Sequence, residues 1–230
     1  MRCFSPISEI EIHTFSFQPI DSRMYVLLSF SSQGNAVIID PCVSEEVAAL
    51  LRSNGISNLT VLLTHEHYDH ISGLDWLRER FACRAVCSEA CAAAIQSPLK
   101  NKSKYFPVLF MNHPPEIQEQ VKLLGIQPTE YHADDWFHGE KELEFGRFKL
   151  LLRTVPGHTA GSMAVLLGDN CLFSGDSLLR IPPILRRPEG NRAGYYAETL
   201  PWFLSLGPDA MVYPGHGDPG YLREMYTQTP

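Results

Sequence analysis

The sequence predicts an α/β fold in which some of the strands pair in parallel. Two observations support this: short apolar runs recur along the chain, and segments with a helical spacing of apolar residues lie between several of them. Alternating strands and helices are typical of α/β proteins, because a helix usually connects two parallel strands. A chain of 230 residues, 44% hydrophobic and 20% charged, has the ordinary size and composition of one folded unit. We therefore expect a single domain over residues 1–230.

The first predicted elements are a hairpin and a helix. Two apolar runs, residues 24–30 and 36–40, flank the polar stretch 31–35, which is a pattern typical of a β-hairpin. Ser44 precedes two acidic residues and an apolar helical face, so it is expected to cap a helix. Gly55 is expected to end that helix.

A buried strand, a helix, a further strand and a third helix are predicted next. Residues 59–63 form a short continuous apolar run, as in a strand that is buried on both faces. Residues 74–81 have the apolar spacing of a helix. Residues 83–87 indicate another strand, and residues 88–96 indicate the third helix.

The segment 98–136 interrupts this pattern and is predicted to be an insertion or lid. It contains an aromatic, Lys-rich stretch at residues 100–110 and a helix from Pro114 to about Gly125. A connection of this length inside a compact domain is usually functional or mobile. Its cluster of apolar side chains must pack against something. We expect it either to cover a substrate pocket or to form the contact of a homodimer.

Two hairpins, a helix and a last strand are predicted in the second half. The hairpins are expected over residues 142–153 and 163–173, each with a glycine in its turn. Residues 195–206 have the pattern of a helix, which Pro201 breaks or restarts. The last strand is expected at residues 210–213.

The composition argues against nucleic acid and membranes as partners. The formal net charge is −7 and the pI is about 5.7, whereas phosphate binding needs a basic face. No run approaches the ~20 apolar residues of a membrane helix, and the first residues do not resemble a signal peptide. We therefore expect a cytoplasmic protein that acts on a small molecule and whose six cysteines are free thiols.

Residues 65–70 carry the strongest chemical signal in the chain. They read His-Glu-His-Tyr-Asp-His and directly follow the predicted buried strand. Imidazoles and carboxylates together are ligands that suit Zn²⁺, iron or Mn²⁺. Taken alone, the segment could also be a solvated loop that happens to be rich in histidine.

Three later loops each present one further residue of a metal-binding type. His158 lies in Pro-Gly-His-Thr, Asp176 in Ser-Gly-Asp-Ser and His216 in Pro-Gly-His-Gly. Each loop follows a predicted strand and contains a glycine. One such loop would be an ordinary turn, but all three together with residues 65–70 predict a metal site.

These four motifs, in this order, resemble the signature of the metallo-β-lactamase superfamily. The resemblance covers about residues 20–220 and, within the superfamily, favours the glyoxalase II-like (hydroxyacylglutathione hydrolase-like) hydrolases. It implies an α/β fold of four layers, an αβ/βα sandwich. Two mixed sheets would pack face to face with helices on the outer faces, and the metal site would lie at one edge.

The resemblance also implies ligands for two divalent metal ions, with zinc favoured and iron or manganese as alternatives. The first ion would be bound by His65, His67 and His158, the second by Asp69, His70 and His216, and both by Asp176. The two ions would share a hydroxide that attacks a carbonyl or phosphorus centre, and Asp69 would orient this nucleophile or pass a proton to the leaving group. The formal charge of such a site, about +1, would favour an anionic substrate.

Differences within the superfamily narrow the expected activity. Zinc β-lactamases place a cysteine or serine near the position of Asp176, so the resemblance argues against antibiotic hydrolysis. Flavodiiron proteins place a glutamate where this chain has His67, so it also argues against a redox di-iron centre. Only 13 residues follow Gly217, whereas true glyoxalase II has a further helical domain that binds glutathione. Its substrate-binding segment is not recognisable in residues 178–196 either, which argues against glutathione thioesters as the substrate.

The expected function is therefore that of a dinuclear metal-dependent hydrolase that cleaves a thioester, a lactone or a related ester. A mononuclear iron persulfide dioxygenase is the main alternative. A phosphodiesterase or nuclease and a non-catalytic metal-binding protein are further alternatives.

Several other side chains leave two explanations open. The arginines after Asp176 either bind an anionic substrate or belong to a solvated loop; they are Arg180, Arg186, Arg187 and Arg192. Histidines without ligand spacing are expected at the surface or in the core; they are His13, His113, His132 and His138.

Overall fold

The computed structural model describes residues 2–4, 9–18, 20–186 and 188–228 of the chain. Arg187, one of the arginines considered above, lies outside these residues, as does the side chain of Cys3. Over the described part, two β-sheets pack face to face and helices cover their outer faces. The predicted four-layer αβ/βα sandwich is therefore confirmed.

The first sheet contains seven strands within the described ranges, in the order of the chain. Pairing is antiparallel between the first four strands and parallel from the fourth to the seventh. The strands are β1 (Arg2–Phe4), β2 (Ile10–Phe17), β3 (Ser22–Ser29), β4 (Asn35–Ile39), β5 (Asn58–Leu62), β6 (Ala82–Ser88) and β7 (Asp135–Phe137).

The second sheet contains six strands in the part of the chain that the structure describes. Its strands also follow the order of the chain, and only β11 and β12 pair in parallel. The strands are β8 (Glu140–Phe145), β9 (Phe148–Thr154), β10 (Met163–Leu167), β11 (Cys171–Gly175), β12 (Met211–Pro214) and β13 (Gly220–Tyr221). Both sheets are thus mixed, as expected.

The α-helices are α1 (Glu45–Ser53), α2 (Tyr68–Ile71), α3 (Leu74–Arg78), α4 (Glu89–Ile95), α5 (Pro115–Leu123), α6 (Arg192–Gly194) and α7 (Leu200–Ser205). The Ser44 hydroxyl accepts a hydrogen bond from Val47 N–H and caps α1 as predicted. A π-helical turn, Tyr195–Thr199, precedes α7, and Pro201 lies in the first turn of α7. The predicted restart of this helix is confirmed. Among the residues described, no helix has the length and apolar character needed to span a membrane.

Three apolar layers hold the sandwich together. Leu27 of β3 and Val165 of β10 belong to the layer between the sheets. The outer face of the first sheet packs against α1 and α4 through Leu51 and Ile95. The outer face of the second sheet packs against α7 through Phe203. Burial of an aliphatic or aromatic side chain stabilises a fold by about 1.5–3 kcal/mol, so these layers fix how the two sheets meet.

Four strands were not predicted from the sequence. The second strand, β2, alternates apolar and polar residues only at its two ends, because two consecutive polar residues, His13 and Thr14, break the pattern. This break weakens the usual signal of a half-buried strand. The others, β1, β7 and β13, have only two or three residues each, too few for a periodic signal. Because β13 follows β12, the prediction that residues 210–213 form the last strand was wrong.

Segment 98–136 contains a 3₁₀ helix, Ser103–Phe110, and the helix α5. The predicted helix from Pro114 to about Gly125 is therefore confirmed. The Phe106 ring is buried against Tyr68, with ring centres 5.1 Å apart. The exposed apolar side chains of the segment include Val108, Leu109 and Met111.

We predict that replacing Asp134 with Ala lowers the free energy of unfolding by about 1 kcal/mol. The Asp134 carboxylate accepts hydrogen bonds from Ala85 N–H in β6 and from the guanidinium of Arg78, the last residue of α3, both at 2.7 Å. Partial burial alone would raise the pKa of Asp134, but these two donors lower it below its usual value. The stabilisation is then present above the pKa of the unfolded chain, near 4, and is lost as the pH falls through the lower pKa of the folded state.

Urea unfolding of Asp134→Ala at pH 7 and pH 3 measures this difference. Exposed Glu130 lies nearby in the chain, and Glu130→Ala serves as the matched control. A difference from wild type that is equally large at both pH values would contradict the electrostatic explanation.

Candidate metal centre

The ligand residues predicted from the sequence meet at one end of the sandwich. They follow the C-terminal ends of β5 in the first sheet and of β9, β11 and β12 in the second. Backbone hydrogen bonds join a strand of each sheet to a ligand-bearing loop of the other: Met163 N–H donates to Thr64 O, and Arg23 N–H donates to Gly215 O, each at 2.7 Å. The site therefore lies at the seam between the sheets.

Three histidines form the first group of potential ligands. Nε2 of His65 lies 3.0 Å from Nδ1 of His67, and Nε2 of His158 lies 3.1 Å from the same atom. Tetrahedral zinc with Zn–N bonds of about 2.0–2.1 Å keeps its ligand nitrogens about 3.3 Å apart. Both distances are close to that value, and the three residues could together hold one metal ion.

Asp69, His70 and His216 form the second group. Asp69 and His70 lie on the short helix α2, and His216 lies in the turn after β12. Oδ2 of Asp69 is 3.2 Å from Nε2 of His70 and 3.4 Å from Nε2 of His216. This group, too, could hold a metal ion.

Asp176 lies between the two groups. Its Oδ1 is 3.5 Å from His70 Nε2, and its Oδ2 is 3.6 Å from both His216 Nε2 and His158 Nε2. A Cβ atom on Gly215 would overlap the Asp176 carboxylate, so only glycine allows the last loop to approach so closely. All seven side chains that the sequence singled out are thus brought together.

Hydrogen bonds outside the cluster orient the histidine rings. Nδ1 of His70 lies 2.9 Å from Asp40 Oδ2, and Nδ1 of His158 lies 3.0 Å from the Ile184 carbonyl oxygen. In the neutral imidazole, which is the form that binds a metal, each Nδ1–H would donate to its oxygen and Nε2 would direct a lone pair into the cluster. Histidine ligands of metals are commonly fixed in this way.

Asp40 is a buried residue that the sequence reasoning missed. Its carboxylate accepts hydrogen bonds from Thr64 N–H at 2.7 Å and from the Thr64 hydroxyl at 2.6 Å, in addition to His70. It therefore ties the loop after β5 to α2. The signal available in the sequence was an aspartate at the end of the β4 run, followed by a proline, which is too common a pattern to single out.

Glu66 links the two loops that carry the first group. It lies between His65 and His67, is buried, and accepts a hydrogen bond of 2.9 Å from the Thr159 hydroxyl. Thr159 follows His158 directly. A Cβ atom on Gly161 would overlap the Glu66 carboxylate, so this contact depends on a glycine as well.

The charges in the site suit a cation. Burial lowers the pKa of His65, His67 and His158, that of His67 to about 4, so these imidazoles are neutral near pH 7 and offer lone pairs. Burial alone would lower the pKa of His70, but the carboxylates of Asp69, Asp176 and Asp40 raise it well above its usual value. The carboxylates therefore favour positive charge at the second group.

Unsatisfied polar atoms give a second test of fit for metal ions. Nε2 of His70 and Oδ1 of Asp176 are buried and form no hydrogen bond with any described residue. Buried polar atoms are rarely left without a partner. A metal ion would satisfy both atoms, so the donor set fits the metals that the sequence implied.

A cavity of about 440 Å³ opens onto the cluster. Most of its apolar lining comes from segment 98–136 through Phe106, Leu109, Phe110 and Ile117, and its basic residues are Lys102 and Arg186. His113 also lines it, although the sequence reasoning gave this residue no role. Lys102 and Glu189 form an ion pair of 2.9 Å at the cavity wall; both were missed because neither belongs to a motif.

Arg180 and Arg192 have partners elsewhere. Arg180 pairs with Glu224 at 2.8 Å. The Arg192 guanidinium lies 5.7 Å from the centre of the Tyr196 ring. Of the three that the structure describes, Arg186 alone lines the metal cavity.

A four-layer sandwich with this cluster at its edge defines a class of metal-dependent enzymes. The family model of the metallo-β-lactamase superfamily matches residues 20–216, and the chain belongs to this superfamily. It is an enzyme of this group of metal-dependent hydrolases.

Similar proteins within the superfamily carry different names. The chain is 27% identical over 204 residues to "Probable metallo-hydrolase YqgX" of Bacillus subtilis (strain 168), with 86% of each chain covered. It is 28% identical to the human mitochondrial persulfide dioxygenase ETHE1, covering 89% of this chain and 68% of that one. It is 27% identical to the hydroxyacylglutathione hydrolase of Methylobacillus flagellatus, covering 80% of this chain but spanning only 58% of that enzyme's length.

A solved structure is similar over nearly the whole chain. The crystal structure of the B3 metallo-β-lactamase BLEG-1 has a TM-score of 0.73 at 26% identity. The similarity covers 93% of this chain and 95% of that one.

We predict that Asp40→Asn weakens zinc binding about 10- to 100-fold, the usual effect of removing an outer hydrogen-bond partner of a ligand. The side chain of asparagine has one oxygen and one NH₂ group, so it cannot accept hydrogen bonds from both Thr64 and His70 as the carboxylate does. His70 would then lose the contact that fixes its orientation. Zinc affinity is measured by competition with a chromophoric chelator, and the exposed Asp75→Asn serves as control. An unchanged affinity in a folded Asp40→Asn protein would show that His70 does not need this partner.

Proposed function

We propose that the protein is a dinuclear metal-dependent hydrolase that cleaves a small thioester, lactone or related ester. The observation that supports this most strongly is the position of Asp176, whose two oxygens lie 3.5–3.6 Å from histidine nitrogens of both ligand groups. A carboxylate shared between two groups of three ligands suits a pair of metal ions. If only one ion were bound, one of the two groups of three potential ligands would bind no metal.

The roles of the side chains follow from their contacts. Divalent cations bound here would supply a Lewis acid for a substrate oxygen and a coordinated water of lowered pKa. His65, His67 and His158 would hold one ion as neutral ligands, and Asp69, His70 and His216 would hold the other. Asp69 also lines the cavity, so it would orient the attacking water and carry its proton to the leaving group. Zinc is the proposed metal, because a set of imidazoles and carboxylates suits it and it needs no redox change.

The cavity supports a small, partly apolar and anionic substrate. Phe106, Leu109 and Phe110 would contact an acyl chain or ring. The positive charge of Arg186 at the same cavity would favour a negatively charged group on that molecule, whereas Lys102 is already paired with Glu189. A cleft of this volume typically buries most of the surface of a small-molecule ligand.

A second candidate function is a mononuclear iron persulfide dioxygenase. The 28% identity with the human enzyme of that name supports it. The chain also covers more of that enzyme's length, 68%, than the 58% it covers of the hydroxyacylglutathione hydrolase. The two candidates differ in metal content, since the hydrolase needs two ions and the dioxygenase one iron.

We predict about two metal ions per chain and hydrolysis of at least one thioester, lactone or ester. Elemental analysis after expression with zinc, iron or manganese gives the metal content. A panel of a thioester, a lactone, a phosphodiester and a β-lactam gives the reaction, and a thiol persulfide with an oxygen electrode tests the dioxygenase. The β-lactam is included because of the BLEG-1 similarity. One iron per chain with persulfide-dependent oxygen uptake would contradict the hydrolase and favour the dioxygenase.

The matched variants for this experiment are Asp176→Ala and His132→Ala. The first removes the shared carboxylate and is expected to lower both metal content and turnover, the latter by about 100-fold or more. The second alters an exposed histidine outside the cluster and is expected to change neither. Equal metal content and turnover in Asp176→Ala and wild type would refute the shared role of Asp176.

We further propose that segment 98–136 is a lid that shapes the substrate cavity. Phe110→Ala is expected to lower kcat/KM for an ester with a large acyl group about tenfold, while an acetyl ester is little affected. Met111→Ala, at an exposed neighbouring position, is the control. Light scattering on both variants tests the alternative of a homodimer contact. A change from dimer to monomer with unchanged kinetics would assign the segment to an interface and discard the lid.

A further inference from the structure

His67 has a ring nitrogen that lacks the partner its neighbours have. His70 and His158 each direct Nδ1 to an acceptor outside the cluster, Asp40 and the Ile184 carbonyl respectively. His67 is turned the other way, with Nδ1 in the cluster. Its Nε2 is buried and forms no hydrogen bond with any described residue.

The proton on His67 therefore needs an acceptor. When Nδ1 of a neutral imidazole serves as a ligand, the ring proton must reside on Nε2. A buried N–H group without an acceptor is destabilising. The nearest charged oxygen is Oε2 of Glu189, at 3.5 Å from Nε2, slightly beyond the usual range of a hydrogen bond.

Lys102 contacts that same oxygen. Its Nζ lies 2.9 Å from Oε2 of Glu189, so the lysine, the carboxylate and His67 form a chain of three groups. The Lys102 side chain is largely shielded from solvent, at 17% exposure, whereas Glu189 is 38% exposed. The lysine thus holds a more exposed carboxylate beside the imidazole and balances its charge.

The backbone conformation at Lys102 is fixed by its surroundings. Lys102 adopts a left-handed conformation with φ of 68°, which is unfavourable for a residue with a Cβ atom. Asn101, fully buried, holds the turn: its amide donates to the carbonyl oxygens of Ile95 and Thr129 at 2.8 Å, and it accepts from Ser103 N–H at 2.9 Å. Strain of this kind persists where the surroundings enforce it.

We propose that Glu189 and Lys102 are positioning residues for His67. Glu189 accepts the His67 Nε2–H while Nδ1 holds the first metal ion, and Lys102 fixes Glu189 in that position. Because Lys102 directly precedes the 3₁₀ helix that lines the cavity, occupancy of the first metal site and order in the lid are coupled. This inference rests on the proposed metal site of the preceding subsection.

Removal of Lys102 separates this proposal from simple charge effects. By Coulomb's law alone, loss of a positive charge near a cation site tightens cation binding. Loss of a positioning residue loosens it, because Glu189 is no longer held beside His67. The two explanations therefore predict opposite signs for one variant.

The experiment measures zinc binding to the full-length protein by competition with a chromophoric chelator, without any substrate. One of the two zinc-binding steps is expected to weaken about 10- to 100-fold in Glu189→Ala and about tenfold in Lys102→Met, while Lys102→Arg stays within about threefold of wild type. The exposed residues Glu198 and Lys104 provide the controls Glu198→Ala and Lys104→Met. Zinc binding by Lys102→Met that is as tight as in wild type, or tighter, would overturn the proposal.

Hydrogen exchange gives a second readout on the same proteins. Zinc is expected to slow amide exchange in the peptide that covers residues 98–111 of wild type but not of Glu189→Ala. Equal protection in both would overturn the coupling to the lid. Weakened zinc binding in these variants, with no ester hydrolysed by wild type, would refute the proposed hydrolase alone. Ester hydrolysis with zinc affinity unchanged in Glu189→Ala and Lys102→Met would refute this inference alone.

Discussion

The packing of the two sheets against each other determines whether the candidate metal centre exists at all. The loop after β5 in the first sheet and the helix α2 that follows it provide four of the seven potential ligands, and the loops of the second sheet provide the other three. Bonds across the seam hold the two sets in register, among them Tyr25 O–H to Pro214 O at 2.6 Å and the bridge between Ser22 and His216. Metal–ligand distances tolerate only about ±0.2 Å. The apolar layer between the sheets therefore also fixes the positions of the potential metal ligands.

The same arrangement gathers buried carboxylates around one histidine. Asp40, Asp69 and Asp176 all lie close to His70, and their mutual repulsion must be offset by positive charge. A bound cation would do so more fully than a proton on His70. Metal binding should accordingly stabilise the folded protein, since a ligand that binds only the folded state shifts the folding equilibrium.

The motifs revealed the ligands, and the periodicity of the sequence revealed most of the strands. His65, His158 and His216 could be found because each follows a strand signal at a short, glycine-rich turn. Asp40 and Glu189 could not, because their roles arise from partners 30 and 122 residues away in the chain, His70 and His67. Outer contacts of this kind depend on packing between distant segments, which local pattern does not record. The short strands β7 and β13 were not predicted, because a run of two or three residues is too short to show a periodic pattern.

Anomalous X-ray diffraction from crystals grown with zinc tests the central claim most directly, because it locates each metal ion relative to Asp176. The account predicts two zinc peaks on opposite sides of the Asp176 carboxylate, one beside His65, His67 and His158 and the other beside Asp69, His70 and His216. A single peak under saturating zinc, or a second peak away from Asp176, would contradict it.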